Sequence, residues 1–208
     1  AETLRAMGRL DEALAAYDTT AKAFPNDVVV RNGRAETLRE IGRLDEALAA
    51  YDDAISRFPN DVFARNGRAE TLRAMGRLDE ALAAYDDAIS RFPTNVVARN
   101  GRAETLREIG RLDEALAAYE AIAEAFPNDA FARNGRAQIL LLQRRFGDAR
   151  DSLTIQRRPV SKNDWIGRHI LGMVELRSGD SEAATALFLQ GVNDCPWPGS
   201  RQYFRSGL

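Results

Sequence analysis

Hydrophobic and polar positions recur along this chain with a period of 34 residues. The sequence of residues 28–61 returns almost letter for letter at residues 62–95 and again at 96–129, and a truncated copy opens the chain. The turn-forming residues keep the same register, at Gly8, Gly42, Gly76, Gly110, Pro25, Pro59, Pro93 and Pro127. Such a period is typical of a stacked array whose units cannot bury their apolar faces alone.

Each unit contains two stretches with helical periodicity. The first helix is predicted from about Val28 to Ile41, and Gly42 follows it where a helix C-terminus favours a left-handed residue. The second is predicted from about Asp45 to Phe58, with acidic residues that favour its N-terminal dipole and Pro59 at its end. Its apolar stripe consists of Leu44, Ala47, Leu48, Tyr51, Ala54, Ile55 and Phe58. Because nothing is typical of a strand, each unit is predicted to be a helical hairpin.

A glycine recurs in the middle of the first helix, at Gly33, Gly67, Gly101 and Gly135. Glycine inside a helix lowers its stability by about 1 kcal/mol relative to alanine. Its repetition at this place therefore predicts a close contact with another helix. Small residues in the second helix, such as Ala47 and Ala54, indicate close packing as well.

The unit resembles the tetratricopeptide repeat, a helix–turn–helix with small and large apolar residues at fixed places. With Val28 as position 1, the residues that match the family pattern are Ala35, Leu38, Gly42, Ala47, Tyr51, Ala54 and Pro59. The resemblance implies an all-α fold, a right-handed α-solenoid of stacked helix–turn–helix hairpins. It also implies a concave groove, lined by the first helices, that binds an extended peptide or a partner helix.

Two positions depart from the family pattern, because arginine stands where bulky apolar residues are usual. These arginines are Arg31, Arg34, Arg65, Arg68, Arg99, Arg102, Arg133 and Arg136. In one interpretation their stems cover the tyrosines while the guanidinium groups reach acidic residues of a neighbouring helix. In the other, part of this arginine row reaches the groove.

The repeat array is predicted to fill the chain. A truncated repeat at 1–27 precedes near-identical repeats at 28–61, 62–95 and 96–129, divergent repeats at 130–164 and 165–198, and a tail at 199–208. In the first divergent repeat Arg144 replaces the turn glycine, and Pro159 is expected to end the second helix early. Terminal repeats face water and change their outward residues. The bulky residues expected in a C-terminal cap are Trp165, Phe188, Trp197, Tyr203 and Phe204.

The chain begins inside a repeat, at position 8 of the unit, which indicates a fragment or a processed chain. The residues that would cover its first apolar side chains are therefore not part of it. Burying one aliphatic side chain contributes about 1.5–3 kcal/mol. We expect the N-terminal repeats to associate end to end or by swapping, as a homo-oligomer. The side chains this would cover are Leu4, Met7, Leu10 and Leu14.

Composition and charge narrow the function further. The formal net charge is −2, whereas proteins that bind nucleic acids are normally strongly basic, so we predict no nucleic-acid binding. Apolar runs such as Ile139–Leu142 are far too short to cross a bilayer, and no membrane insertion is predicted. The single cysteine, Cys195, fits a reducing compartment, and a cytoplasmic location is expected.

No catalytic constellation is visible in the sequence. A single histidine, His169, excludes a histidine-rich metal site, and it is the only base that could assist Cys195 as a nucleophile. Carboxylate pairs such as Asp45-Glu46 and Asp52-Asp53 belong to the repeat and are expected on its solvated edge. Glycine motifs that bind phosphate are absent. We predict a protein that is not an enzyme and that has no metal and no cofactor.

The resemblance implies four groove positions in each first helix, and steps of three, four and seven residues place them on one helix face. They hold the apolar residues Val29, Phe63, Val97 and Phe131, the asparagines Asn32, Asn66, Asn100 and Asn134, the glutamates Glu36, Glu70 and Glu104, and the arginines Arg39, Arg73 and Arg107. The glutamates and arginines are expected to pair along the helix or between adjacent units. A carboxamide both donates and accepts hydrogen bonds. The asparagines therefore either hold the backbone of an extended peptide or bond within and between repeats.

The first helix carries more arginine than glutamate, whereas the second helix is acidic. This balance favours, weakly, an acidic or carboxylate-bearing partner. The sequence thus predicts a non-catalytic scaffold that binds an extended peptide or partner segment in its groove. Two alternatives stay open: a regulatory or targeting arm of a larger multidomain enzyme, and a self-assembling scaffold.

Overall fold

A computed structural model describes residues 1–154 and 165–194 of the chain. In these two ranges the chain forms helices and no strand. The helices are α1 (Glu2–Ala6), α2 (Leu10–Ala23), α3 (Val28–Ile41), α4 (Leu44–Arg57), α5 (Val62–Ala74), α6 (Leu78–Arg91), α7 (Val96–Ile109), α8 (Leu112–Ala125), α9 (Ala130–Leu142), α10 (Phe146–Leu153), α11 (Trp165–Ser178) and α12 (Ser181–Asp194). Within each of the two compact units described below, consecutive helices pack as hairpins, so the predicted all-α fold of helix–turn–helix units is confirmed.

Two compact units divide the chain. The first extends from Ala1 to Ile109 and contains α1–α7, and the second begins at Gly110 and contains α8–α12. The assignment of all repeats to a single array stays a prediction. Five residues that carried expectations lie outside the described residues: Pro159, Cys195, Trp197, Tyr203 and Phe204.

The helix ends follow the local chemistry of the repeat. Asp27 caps α3 by accepting hydrogen bonds from the backbone N–H groups of Val29 (2.9 Å) and Val30 (3.2 Å). Gly42 ends the same helix with φ of 90°, in the left-handed region. Where the divergent repeat lacks this glycine, Arg144 adopts φ of 60° instead. The second helix, α4, begins and ends one residue earlier than predicted.

Small residues make the core of the first unit. Ala35, Ala54 and Ala64 are completely buried around Tyr51, and the next repeat builds an equivalent cluster around Tyr85. Methyl side chains allow the helix backbones to approach closely, while each tyrosine ring fills the remaining volume. In the second unit Tyr119 is buried at the corresponding position, and in the last described repeat Phe188 takes its place, beside Trp165 and at 5.7 Å from His169 between ring centroids.

Each tyrosine of the second helices lies directly against the mid-helix glycine of the following repeat. A methyl group built on Gly67 would lie 2.3 Å from Cζ of Tyr51, and one on Gly101 would lie 2.4 Å from Cζ of Tyr85. Real carbon atoms do not approach so closely, so only glycine fits. The close helix contact predicted from these glycines is confirmed, and it joins one repeat to the next.

The apolar side chains at the start of the chain differ in exposure. Leu14 is buried in the core with Leu38 and Ala47, Leu4 and Leu10 are half-buried, and Met7 is exposed. Association through this end stays a prediction.

We expect the Gly67→Ala variant to lower the free energy of unfolding by about 1–3 kcal/mol, because the added methyl group displaces a buried tyrosine ring. Gly147→Ala is the matched control. Gly147 also lies in a helix, but no atom lies near its added methyl group, so alanine there should be neutral or stabilising by up to about 1 kcal/mol. Denaturant unfolding followed by circular dichroism measures both. Equal effects of the two substitutions would contradict the packing role of the glycine.

Candidate functional site

The arginines that replace apolar residues of the family pattern do not face the predicted groove. Arg31 binds Asp53 and donates through Nε to the carbonyl oxygen of Pro25 at 2.8 Å. Arg34 donates through Nε to Asp18 Oδ1 at 2.6 Å. Both acids belong to second helices, and the copies Arg65 and Arg68 repeat the arrangement with Asp87 and Asp52. The guanidinium groups of these four arginines thus reach acids of neighbouring helices, as the first interpretation expected, whereas Arg99 donates to the carbonyl oxygen of Pro93.

A groove of about 740 Å³ runs across the first helices of the first unit. Most of its wall comes from α1, α3, α5 and α7, and Tyr51 of α4 contributes to its floor. The lining residues are Glu2, Arg5, Val29, Asn32, Gly33, Glu36, Tyr51, Val62, Phe63, Asn66, Gly67, Glu70, Asn95 and Val97. Seven of these were predicted groove residues, so helical periodicity brought the predicted positions together.

Exposed apolar side chains mark this groove. Phe63 is 79% exposed and Val29 is 73% exposed, and Val97 follows them one repeat further on. Phe131 holds the same position in the second unit and is also exposed. Large apolar side chains that recur at one position and stay in water are typical of a surface that binds a partner.

The asparagine row bonds between repeats. Asn32 donates through Nδ2 to Asp61 Oδ2 at 2.6 Å, and Asp61 is the residue that caps α5. Asn66 pairs with Asn95, the residue that replaces this aspartate in the next loop. Asn66, Asn100 and Asn134 are all buried. The Oδ1 atom of Asn32 is buried and accepts no hydrogen bond.

Below the groove, tyrosine, glutamate and arginine form a triad in the first two repeats. Tyr51 donates to Glu36 Oε2 at 2.8 Å, and Arg39 binds the same carboxylate through Nε and Nη2. Burial acts to raise the pKa of the Glu36 carboxyl, but the hydrogen bonds from Arg39 and Tyr51 outweigh it and hold the pKa below its ordinary value. Glu2, Arg5 and Tyr17 form the same triad at 2.6 and 2.7 Å.

In the third repeat the same three residue types do not close into a triad. Arg73 turns to Glu108 of the next repeat, with Nη1 to Oε1 at 2.5 Å. Glu70 is left with Arg39 of the preceding repeat, 3.6 Å from its Oε2. The Tyr85 hydroxyl is completely buried and donates to no carboxylate, and the charged side chain beside it is that of Arg73. Burial, assisted by the negative charge of Glu70, raises the pKa of Tyr85 to about 12, so the hydroxyl keeps its proton.

A two-repeat alternation decides which groove arginines find a glutamate in the next repeat. The residue after the groove arginine is alanine in the first and third repeats, at Ala6 and Ala74, and glutamate in the second and fourth, at Glu40 and Glu108. Arg5 accordingly reaches Glu40 at 2.8 Å while it keeps its bond to Glu2, and Arg73 reaches Glu108. The expectation that these side chains pair along the helix or between adjacent units is confirmed in the first unit.

The groove lining is more acidic than the sequence balance suggested, with three glutamates against one arginine. The excess of arginine in the first helices came from residues such as Arg31 and Arg34, which pair with acids of the second helices. Counting charge by helix therefore assigned those cations to the wrong face.

Sequence reasoning missed several contributors to the site, among them Tyr51 on the floor and the glutamates Glu40 and Glu108 as partners of the groove arginines. The signal for the glutamates was present, since the alternation of alanine and glutamate is one of the few differences between otherwise identical first helices.

Among the described residues there is no group of histidine, cysteine and carboxylate side chains placed to hold a metal ion. Nor does any helix in the described ranges combine the length and apolar character that crossing a membrane requires.

A family model described as tetratricopeptide repeat matches residues 1–62, 66–130 and 103–161, well over half of the chain. No curated protein sequence matches. Among solved structures, a tetratricopeptide repeat protein from Parabacteroides merdae is similar at 19% identity and a TM-score of 0.75, over 98% of this chain and 79% of that one.

Two further structures show the same likeness. Yeast Tom70 is similar at 19% identity and a TM-score of 0.81, over 94% of this chain but only 42% of its own. YrrB, described as a TPR protein with an unusual peptide-binding site, is similar at 17% identity and a TM-score of 0.56, over 93% of this chain and all of that one. At these identities the likeness shows the fold alone.

The two tyrosine environments predict opposite effects of removing a hydroxyl. Tyr51→Phe removes the hydrogen bond to Glu36 and should lower the free energy of unfolding by about 1 kcal/mol or more, because the acceptor is charged. Tyr85→Phe removes a buried hydroxyl that has no hydrogen bond, and it should be neutral or stabilising. Denaturant unfolding of the two variants, which differ only in repeat, measures the contrast. A loss of stability in Tyr85→Phe equal to that in Tyr51→Phe would show that its hydroxyl is bonded.

Proposed function

Because this chain belongs to the tetratricopeptide repeat family, we propose that it binds an extended segment of a partner protein in the groove of its first unit. The fold itself indicates a protein-interaction scaffold, and proteins of this family are generally non-catalytic. The observation that carries the finer proposal is the row of exposed apolar side chains, Val29, Phe63 and Val97, along one groove. The cytoplasmic location expected from the sequence is part of the proposal.

Two properties of the groove support an extended segment as the ligand. Its apolar contacts come once per repeat and lie in a line, as the side chains of an extended chain do. Its volume of about 740 Å³ has room for several side chains.

The charge of the partner follows from the lining. Sequence alone favoured an acidic segment, but the arginines behind that preference bind acids of the second helices. The remaining lining holds more glutamate than arginine. An acidic segment would meet net repulsion there, and we propose a neutral or basic one.

The alternative of a regulatory or targeting arm uses the same surface. If this repeat array is part of a longer protein, the groove would serve to bring that protein to its partner.

The test uses a library of random eight-residue peptides displayed on phage and selected against the whole chain. We expect a set of peptides whose affinity falls about tenfold or more in Phe63→Ser, because the loss of an apolar anchor removes about 1.5–3 kcal/mol of burial. Phe63 is 79% exposed, so the variant should keep the helical circular dichroism of the parent. Arg77→Ser, an exposed site on the second-helix side, is the control. Selected peptides that bind the parent and Phe63→Ser equally would contradict the groove as the binding surface.

A further inference from the structure

The third repeat of the first unit differs from the two before it because the carboxylate of its groove glutamate, Glu70, accepts no hydrogen bond within the described part of the chain. Glu2 and Glu36 each accept hydrogen bonds from an arginine and a tyrosine. Glu70, also in the lining, accepts no hydrogen bond from any described residue, and its ion-pair contact is the 3.6 Å approach of Arg39. That arginine is already bound at 2.5 Å to Glu36. The negative charge of Glu70 is therefore the least compensated of the three.

The tyrosine of the third repeat does not bind this carboxylate either. Tyr17 and Tyr51 donate to Glu2 and Glu36, whereas the Tyr85 hydroxyl is completely buried beside Arg73 and donates to no carboxylate. Glu70 therefore lacks both of the hydrogen bonds that its equivalents accept. A groove carboxylate in this state can accept hydrogen bonds from a guanidinium or ammonium group of a ligand.

The groove arginine of the third repeat binds elsewhere. Arg73 does not bind Glu70, and its Nη1 donates to Glu108, thirty-five residues further along the chain. Arg5 also reaches a glutamate of the next repeat, but it keeps its hydrogen bond to Glu2, so the missing bond is particular to the third repeat. A positive charge from outside can take the place of Arg73 at Glu70.

An apolar anchor lies beside this open site on the same helix. Phe63 and Glu70 are seven residues apart on α5 and therefore share one helix face, about 10.5 Å apart along the axis. An extended chain spans this distance in about three residues. A segment that follows α5 could place an apolar side chain on Phe63 and a cationic side chain on Glu70.

Resting on the proposed groove function, we propose that the third repeat selects a partner segment that carries arginine or lysine about three residues from an apolar residue. Glu70 binds the cationic group, and Phe63 binds the apolar one. Specificity then comes from one repeat of the groove, while the other repeats supply contacts that depend little on sequence.

The experiment takes peptides selected from the phage library that depend on Phe63, and it compares an arginine-containing peptide with its citrulline version by titration calorimetry. Citrulline keeps the shape and removes the charge. The Glu70→Gln variant should weaken the arginine peptide about tenfold and the citrulline peptide hardly at all. Glu80→Gln, an exposed glutamate paired with Arg77 outside the groove, should change neither affinity.

The outcomes separate the two proposals. Enrichment of basic residues at the expected spacing, together with a Glu70→Gln loss confined to the arginine peptide, supports the inference. Peptides that depend on Phe63 but are acidic or uncharged, or that ignore Glu70→Gln, overturn the inference and leave the groove function standing. If no selected peptide depends on Phe63, both proposals fall.

Discussion

The rest of this structure depends on one contact, in which each tyrosine ring packs against the mid-helix glycine of the next repeat. It fixes how closely the first helix of one repeat approaches the preceding hairpin, as Tyr51 on Gly67 shows. The same contact brings the phenol oxygen to the floor of the groove, where Glu36 accepts its hydrogen bond. Packing between repeats and the polar chemistry of the groove are therefore set by one side chain. A larger residue in place of the glycine would disturb both.

Charge is divided between the two faces of the first helix by this geometry. Arginines such as Arg31 and Arg34 lie toward the second helices and bind their acids, which uses the cations that a count along the sequence would assign to the groove. The groove arginines bind glutamates within and between repeats. Exposed ion pairs of this kind add little to stability. Their effect is to decide which charges remain available to a ligand.

The sequence allowed the hairpins, their glycine turns and the groove positions to be predicted, because each depends on local spacing. Val28–Ile41 was predicted to the residue, and Gly33 correctly indicated a close helix contact. The direction of the arginines could not be predicted in this way. A helical wheel places Arg31 between two faces, and only the position of Asp53 on the neighbouring helix decides between them. The asparagines were undecided for the same reason, since Asn32 chooses Asp61 across a loop.

The repeats are nearly identical in sequence, but equivalent residues in them have different neighbours. This difference makes the positions that a ligand can occupy along the groove unequal. Glu2, Glu36 and Glu70 occupy one position of one motif, yet their neighbours differ. Glu2 and Glu36 each accept hydrogen bonds from an arginine and a tyrosine, whereas Arg73 binds Glu108 and not Glu70. The choice of partner by one arginine thus makes one carboxylate of the row different from the other two. A uniform groove would let an extended ligand slide by one repeat with little cost, since every register would offer the same contacts. An open carboxylate in one repeat and closed ones in the two before it make the registers unequal, and a ligand with a single charge can then be held in one of them.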